Sequence, residues 1–227
     1  MGAWPSQRPN QAVIASIIGN IIEYYDFVIY AYFSASIGRT FFPANWPLSQ
    51  LGLSLATFGL TLLARPLGAV VLGNYADRRG RVSTMMVCIL LMAMGSLLIT
   101  LTPSYQEIGI AAPALVILAR LLHGFSLGGE FGSATSYLIE HAPKHEARAA
   151  SWQAIGQITA SLCAATVVLM LGLLLPSTTF ETFGFRIATG LGAATGISGL
   201  ILRMMLTPEN SETHTPNPLN PGAIPAT

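Results

Sequence analysis

The chain has 227 residues, of which 52% are hydrophobic and only 9% charged, with ten acids, eleven bases and a net charge of +1. A globular domain carries roughly 25% charged residues, so this chain cannot clothe a water-facing surface and reads as a membrane protein. That excludes a soluble enzyme, and the near-neutral balance offers no basic field for nucleic acid. Cys88 and Cys163 both lie inside apolar runs, which leaves no disulfide framework and no thiolate metal site.

A bilayer core takes about 20 apolar residues per helix. Six such runs are predicted in chain order, over 11–37, 51–74, 83–101, 111–139, 149–175 and 185–206. Turn-forming stretches separate them: FFPANWP at 41–47, DRRGR at 77–81, TPSY at 102–105, HAPKH at 141–145 and PSTT at 176–179. Residues 1–10 are expected to form a cytoplasmic N-terminus and 11–206 a six-helix bundle. Residues 207–227, rich in Pro, Asn and Thr, are expected to be a disordered cytoplasmic tail. With both ends inside, Arg8, Arg78, Arg79, Arg81, Lys144, Arg148 and Arg203 fall on the cytoplasmic side and only Arg39 and Arg186 outside, which is the preferred orientation. A cleaved signal peptide is rejected for the first run, because Glu23 and Asp26 interrupt it and it is too long.

An ionisable group at membrane depth costs at least a few kcal/mol, so each is a functional hypothesis. In the first run Glu23 and Asp26 are three apart and share a helical face, with Tyr30 four beyond Asp26. A carboxyl group in an apolar setting holds a proton at neutral pH and releases it when water or a cation arrives. The competing reading is a carboxylate that only pairs with an arginine to hold helices together. In the fourth run Arg120, His123 and Gly124 cluster at i, i+3 and i+4, and Gly124, Gly128 and Gly132 repeat every four residues, a stripe that allows close helix approach. Glu130 follows Arg120 by nearly three turns. Arg120 offers a planar donor fork suited to a substrate carboxylate or, equally, to Asp26 or Glu23. His123 is a proton carrier or, more commonly for such a residue, a packed helix-interface residue. Arg65 precedes Pro66 in the second run, where it either satisfies a freed carbonyl, snorkels, or reaches substrate.

The residues then resemble a known family. GNYADRRGR at 73–81 is similar to the signature loop between helices two and three of the major facilitator superfamily, and RLLHG at 120–124 to its fourth-helix motif. More narrowly, GNIIEYYDF at 19–27, RPLG at 65–68 and GFSLGGE at 124–130 resemble the metabolite:proton symporter family. AVVLG at 69–73 and SWQ at 151–153 lean toward its citrate and tricarballylate branch. The likeness covers 15–206. It implies an all-α membrane protein whose six transmembrane helices form one half, a 3+3 repeat, of a major-facilitator fold in the bacterial inner membrane.

The resemblance implies proton-coupled symport of a small organic acid of the citrate or dicarboxylate class, with the proton as coupling ion and no other cofactor. Asp26, Glu130 and Glu23 are the proton-coupling candidates, and Arg120, Arg65 and His123 the substrate-binding ones. Gly73, Asp77, Arg78, Gly80, Arg81, Glu140 and Arg148 form the signature loop and gate, with Asp77–Arg148 and Arg81–Glu140 as the implied ion pairs and Gly73 allowing tight packing. His123 stands where glutamine is common, and Val82 and Ser83 where a further basic residue is common. Such transporters are usually two six-helix halves with the substrate site at the midplane between them. The partners implied are therefore the lipid bilayer, a small organic anion, and a C-terminal half or a second copy. A zwitterion such as a betaine stays open as substrate. The rival reading is a truncated, transport-inactive fragment. A membrane enzyme with metal at His141, His145 and their acidic neighbours Glu140 and Glu146 is disfavoured, since Ala142 and Pro143 disfavour a continuous helix between the two histidines.

Overall fold

The computed structural model describes residues 9–46, 48–140 and 146–206, with the side chains at several helix ends, Glu140 and Arg148 among them, outside the described set. The tail beyond residue 206, the first eight residues and the HAPKH loop also lie outside it, so the expectations placed there stay as expectations.

Eight helices are described. α1 (Pro9–Tyr32) and α2 (Ser34–Phe41) form the first crossing, interrupted only at Phe33. α3 (Gln50–Arg79) and α4 (Arg81–Leu101) follow, then the single turn α5 (Tyr105–Ile108). α6 (Ala111–Glu140), α7 (Glu146–Leu174) and α8 (Ser177–Leu206) complete the bundle. Four of them, α3, α4, α6 and α7, contain windows long and apolar enough to cross a membrane by composition alone. α1 and α8 complete the six crossings of the fold. α1 is diluted by Glu23 and Asp26, and α8 by Arg186 and the polar turn at its start.

Several helix ends differ from the sequence expectation; α3, for one, runs on through Asp77, Arg78 and Arg79 of the expected turn before Gly80 stops it. α8 begins eight residues before the predicted start, because Ser177, Thr178 and Thr179 continue the helix directly after Pro176 although they add no apolar signal. The TPSY stretch leads into α5, whose Glu107 carboxylate accepts from the Ser104 N–H at 2.7 Å and the Ser104 hydroxyl at 2.8 Å. The Ser-x-x-Glu spacing of a capping box was the readable signal for it.

Packing follows the internal repeat. α3 lies along α6 as α7 lies along α1, and α4 packs on α6 as α8 packs on α1, while α4 and α8 meet each other. Exchanging the first three crossings for the last three thus preserves the neighbours, as a 3+3 repeat requires. The α3–α6 crossing is the closest. A Cβ added at Gly68 would strike the Phe125 carbonyl, one at Gly124 the Thr61 carbonyl, and one at Gly128 the Arg65 carbonyl. The predicted glycine stripe therefore works at Gly124 and Gly128, whereas Gly132 meets nothing within 4 Å among the described residues. Gly73 likewise has open space, so the tight packing expected there is not seen.

The apolar core fills the half of the bundle away from the arginine loop. Ile29, Phe33, Ile37, Phe41, Ile99 and Phe185 are all buried there, and Phe41 meets Phe185 edge-on at 5.4 Å between centroids. Outward-facing leucines and isoleucines on α3 and α7, such as Leu63, Leu67, Ile158 and Leu173, leave a wide apolar exterior.

Candidate functional site

Charged and polar side chains are gathered inside this apolar shell. Asp26 is 2% exposed and Arg120 fully buried, on helices that face each other across the bundle. The two do not form an ion pair. Between them stand Ser96 of α4 and His123 of α6. The Ser96 hydroxyl donates to Asp26 Oδ2 and lies 3.1 Å from His123 Nε2. His123 Nδ1 in turn lies 3.0 Å from Arg120 Nη1. A guanidinium has donors only, so Nδ1 must be the accepting nitrogen and the proton of this neutral imidazole sits on Nε2. That proton is shared with the Met92 carbonyl, also at 3.1 Å.

Arg120 is held on three further sides. Its Nε donates to Thr61 Oγ1 at 3.1 Å, and its guanidinium lies 4.0 Å over the Tyr30 ring and 5.6 Å from that of Phe58. Desolvated cation–π contacts of this kind contribute about 1–2 kcal/mol. Tyr30 is itself anchored, its hydroxyl lying 2.5 Å from Thr57 Oγ1 and taking a bond from Ser54 Oγ at 3.2 Å. One group on each charged partner is left over: Arg120 Nη2 and Asp26 Oδ1 are buried without a hydrogen-bond partner. Buried polar atoms are rarely orphaned, and an orphan cation donor and an orphan carboxylate oxygen at the two ends of one network each mark a place for a ligand or water.

Small residues make the space. A Cβ at Gly192 of α8 would overlap the Asp26 carboxylate, and one at Gly95 would fall against the His123 ring. Ser96, Thr61, Gly95 and Gly192 were not singled out from the sequence. Ser96, a polar residue in the middle of an apolar run, was the one visible clue.

One turn below on α1 is a second group. Glu23 is 6% exposed and accepts from Ser126 Oγ at 3.0 Å, the same hydroxyl lying 2.8 Å from the Cys88 carbonyl. Glu130 is 1% exposed and adjoins Glu23, and the half-buried Arg65 lies within electrostatic reach of that pair. The structure thus divides the predicted residues. Asp26, Arg120 and His123 belong to one network, while Glu23, Glu130 and Arg65 belong to another.

At the arginine loop, Gly80 ends α3 with φ of 91°, a left-handed conformation that suits glycine, and its N–H closes on the Ala76 carbonyl at 2.9 Å. Across this turn Asp77 pairs with Arg81 at 3.4 Å. Arg78 and Arg79 are exposed at the same end. The expected partners Arg148 and Glu140 fall outside the described side chains. At the opposite end a cavity of about 790 Å³ is lined by Arg39, Gln50, Glu107 and Arg186, among others, and none of the buried network contributes to it. The Glu107 carboxyl there is held below its usual range by the two bonds from Ser104. Among the described residues no group of three or more His, Cys, Asp or Glu side chains is placed to hold a metal ion.

A helical bundle with a 3+3 repeat around buried charges is the architecture of a membrane transporter half. The family model for sugar (and other) transporters matches residues 11–211, and the chain belongs to that family of the major facilitator superfamily. It is 43% identical over 182 residues to a citrate-proton symporter of Salmonella typhi, covering 80% of this chain and 42% of that protein. It is 36% identical over 200 residues to the glycine betaine/proline/ectoine/pipecolic acid transporter OusA of Dickeya dadantii, covering 88% of this chain and 40% of that one. In fold it is similar to the inward open conformation of the xylose transporter XylE from E. coli, with a TM-score of 0.76 at 17% identity, covering 88% of this chain and 48% of that one. The chain spans about two fifths of the length of the curated relatives it matches.

Proposed function

We propose that this chain forms the site-bearing six-helix half of a proton-coupled symporter for a small carboxylate, of the citrate class, in the bacterial inner membrane with both termini in the cytoplasm. The observation that carries the reading is the buried Arg120, whose Nη2 is unpartnered while its Nη1 begins a network that ends on Asp26. Arg120 receives the substrate carboxylate, with His123 holding its other arm, and Asp26 carries the proton. Glu23 and Glu130 form a second proton-holding pair, since two adjoining carboxylates in a dry setting are stable when they share a proton. Arg65 stands beside that pair rather than beside the substrate. Asp77, Arg78, Gly80 and Arg81, with Gly73, Glu140 and Arg148, bias the cytoplasmic gate. An exposed ion pair is worth only ~0–1 kcal/mol, which is enough to tilt a two-state gate.

Citrate is preferred over a betaine because identity to the citrate-proton symporters, 43% and 40%, exceeds the 38% to putative proline/betaine transporters of Staphylococcus and the 36% to OusA. A betaine also carries a carboxylate, so the two substrate classes share the Arg120 anchor. The second half of the site comes from a further six-helix half or a second copy of this chain.

The test is uptake of labelled citrate into membrane vesicles carrying the chain, alone and with the C-terminal half of a citrate-proton symporter, under an inward proton gradient. Accumulation that a protonophore abolishes, and that excess betaine leaves intact, is expected in at least one pairing. Absence of uptake in both would favour the transport-inactive reading, and competition by betaine would move the substrate to the zwitterion class.

A further inference from the structure

Any coupling between Arg120 and Asp26 rests on the roles proposed for them above. Arg120 does not touch Asp26, and each link between them has a defined direction. Arg120 Nη1 donates to His123 Nδ1, His123 Nε2–H points at Ser96 Oγ, and the Ser96 hydroxyl donates to Asp26. Every proton along this path points toward the carboxylate. The Met92 carbonyl can only accept, which agrees with a proton on Nε2. A chain of donors headed by a cation and ending on a carboxylate favours the ionised carboxylate, because each bond polarises the next.

We propose that Ser96 and His123 are positioning residues that couple substrate binding at Arg120 to proton binding at Asp26. When a substrate carboxylate meets Arg120 Nη2, its negative charge offsets the cation at the head of the path, and the bond from Nη1 to His123 Nδ1 polarises the path less. The ionised Asp26 is then less favoured, and the carboxyl takes up a proton. Ligand and proton therefore bind cooperatively, and by linkage a protonated Asp26 releases Arg120 to the ligand to the same degree. That sign of coupling is the one symport requires.

Few charged groups compete with this path. α1 contributes Glu23, Tyr25 and Tyr30, α6 contributes Glu130, and α3 contributes Arg65, which lies with the Glu23 group. α7 brings Cys163 near Tyr25, and α8 presents Gly192 to Asp26, which carries no side chain. Thr61 and Tyr30 hold Arg120 from the far side without offering a charge.

The test reads the path itself in the full 227-residue chain. Chain labelled with nitrogen-15 at histidine is placed in lipid nanodiscs, and the His123 signals are assigned by their loss in His123→Gln. A single neutral form with Nε2 protonated is expected across roughly pH 5–8. Asp26→Asn should shift the Nε2 signal, and in a Ser96→Ala background the same substitution should shift it less than about half as far. Ser96→Thr, which keeps the hydroxyl, should restore the full response. If Ser96→Ala does not insert, Ser96→Cys serves in its place, with its weak S–H donor giving a reduced response. Equal shifts with and without Ser96, or a proton on Nδ1, would overturn the relay. Because this readout needs no substrate, failure of citrate uptake with an intact His123 response would count against the transport reading alone.

Discussion

Arg120 is the residue on which affinity depends in the proposed reading. Its fork is fixed by Thr61, His123 and the Tyr30 face, leaving Nη2 to meet a ligand. Lysine keeps the charge but loses the planar fork, so Arg120→Lys should weaken citrate binding by about tenfold or more, measured as the concentration of half-maximal uptake in the complete assembly. Unchanged affinity would reduce Arg120 to a structural cation. Asp26→Asn keeps the shape and the bond from Ser96 but cannot carry a proton. It should abolish gradient-driven accumulation while membrane insertion, assayed by protease protection, stays normal. Gly192→Ala tests the space rather than the charge. A methyl group there overlaps the Asp26 carboxylate, and the expected result is loss of uptake with little change in chain abundance.

The helix crossings set where these side chains meet. α3 and α6 approach through Gly68, Gly124 and Gly128, and a large side chain at Gly128 must push against the Arg65 carbonyl. Gly128→Leu should therefore lower the thermal unfolding midpoint in detergent by several degrees, in line with overpacking penalties of about 1–3 kcal/mol, whereas Gly132→Leu should be much milder. The glycine stripe was legible in the sequence because it repeats every four residues, but only the crossing shows which of its members touch. At α5 the Ser104–Glu107 cap depends on the ionised carboxylate. Since Glu107 is held below its usual range, its contribution is present above the unfolded-state value and is lost as pH falls through the lower folded value. The protection of the Ile108 and Gly109 amides, relative to their intrinsic exchange at each pH, should fall on acidification through that window, and Glu107→Gln should remove that fall.

For the whole molecule the orientation is the testable property. The Gly80 turn with its arginines and the Arg39–Glu107 face lie at opposite ends of the bundle. With Cys88 and Cys163 replaced by alanine, a cysteine introduced by Arg79→Cys should react with an impermeant reagent only from the cytoplasmic side, and one from Gln106→Cys only from outside. The opposite pattern would overturn the placement of the termini.

Composition and spacing were sufficient for the membrane class and the six crossings, and they named the buried charges as candidates; the family came from the likeness of its motifs. These are properties of single helices: an apolar run, a charge inside it, a glycine every fourth residue. Bilayer thickness and helix pitch translate them directly into structure. Only the tertiary structure decided which charges meet. It separated Arg120 from Asp26, placed Ser96 and His123 between them, moved Arg65 to Glu23, and opened room at Gly95 and Gly192. The Ser96 contacts to His123 and Asp26 join residues 27 and 70 positions apart in the chain, Gly192 reaches Asp26 from further still, and no local pattern encodes these meetings. They arise because helix crossing angles and small residues at the crossings fix which faces are buried together.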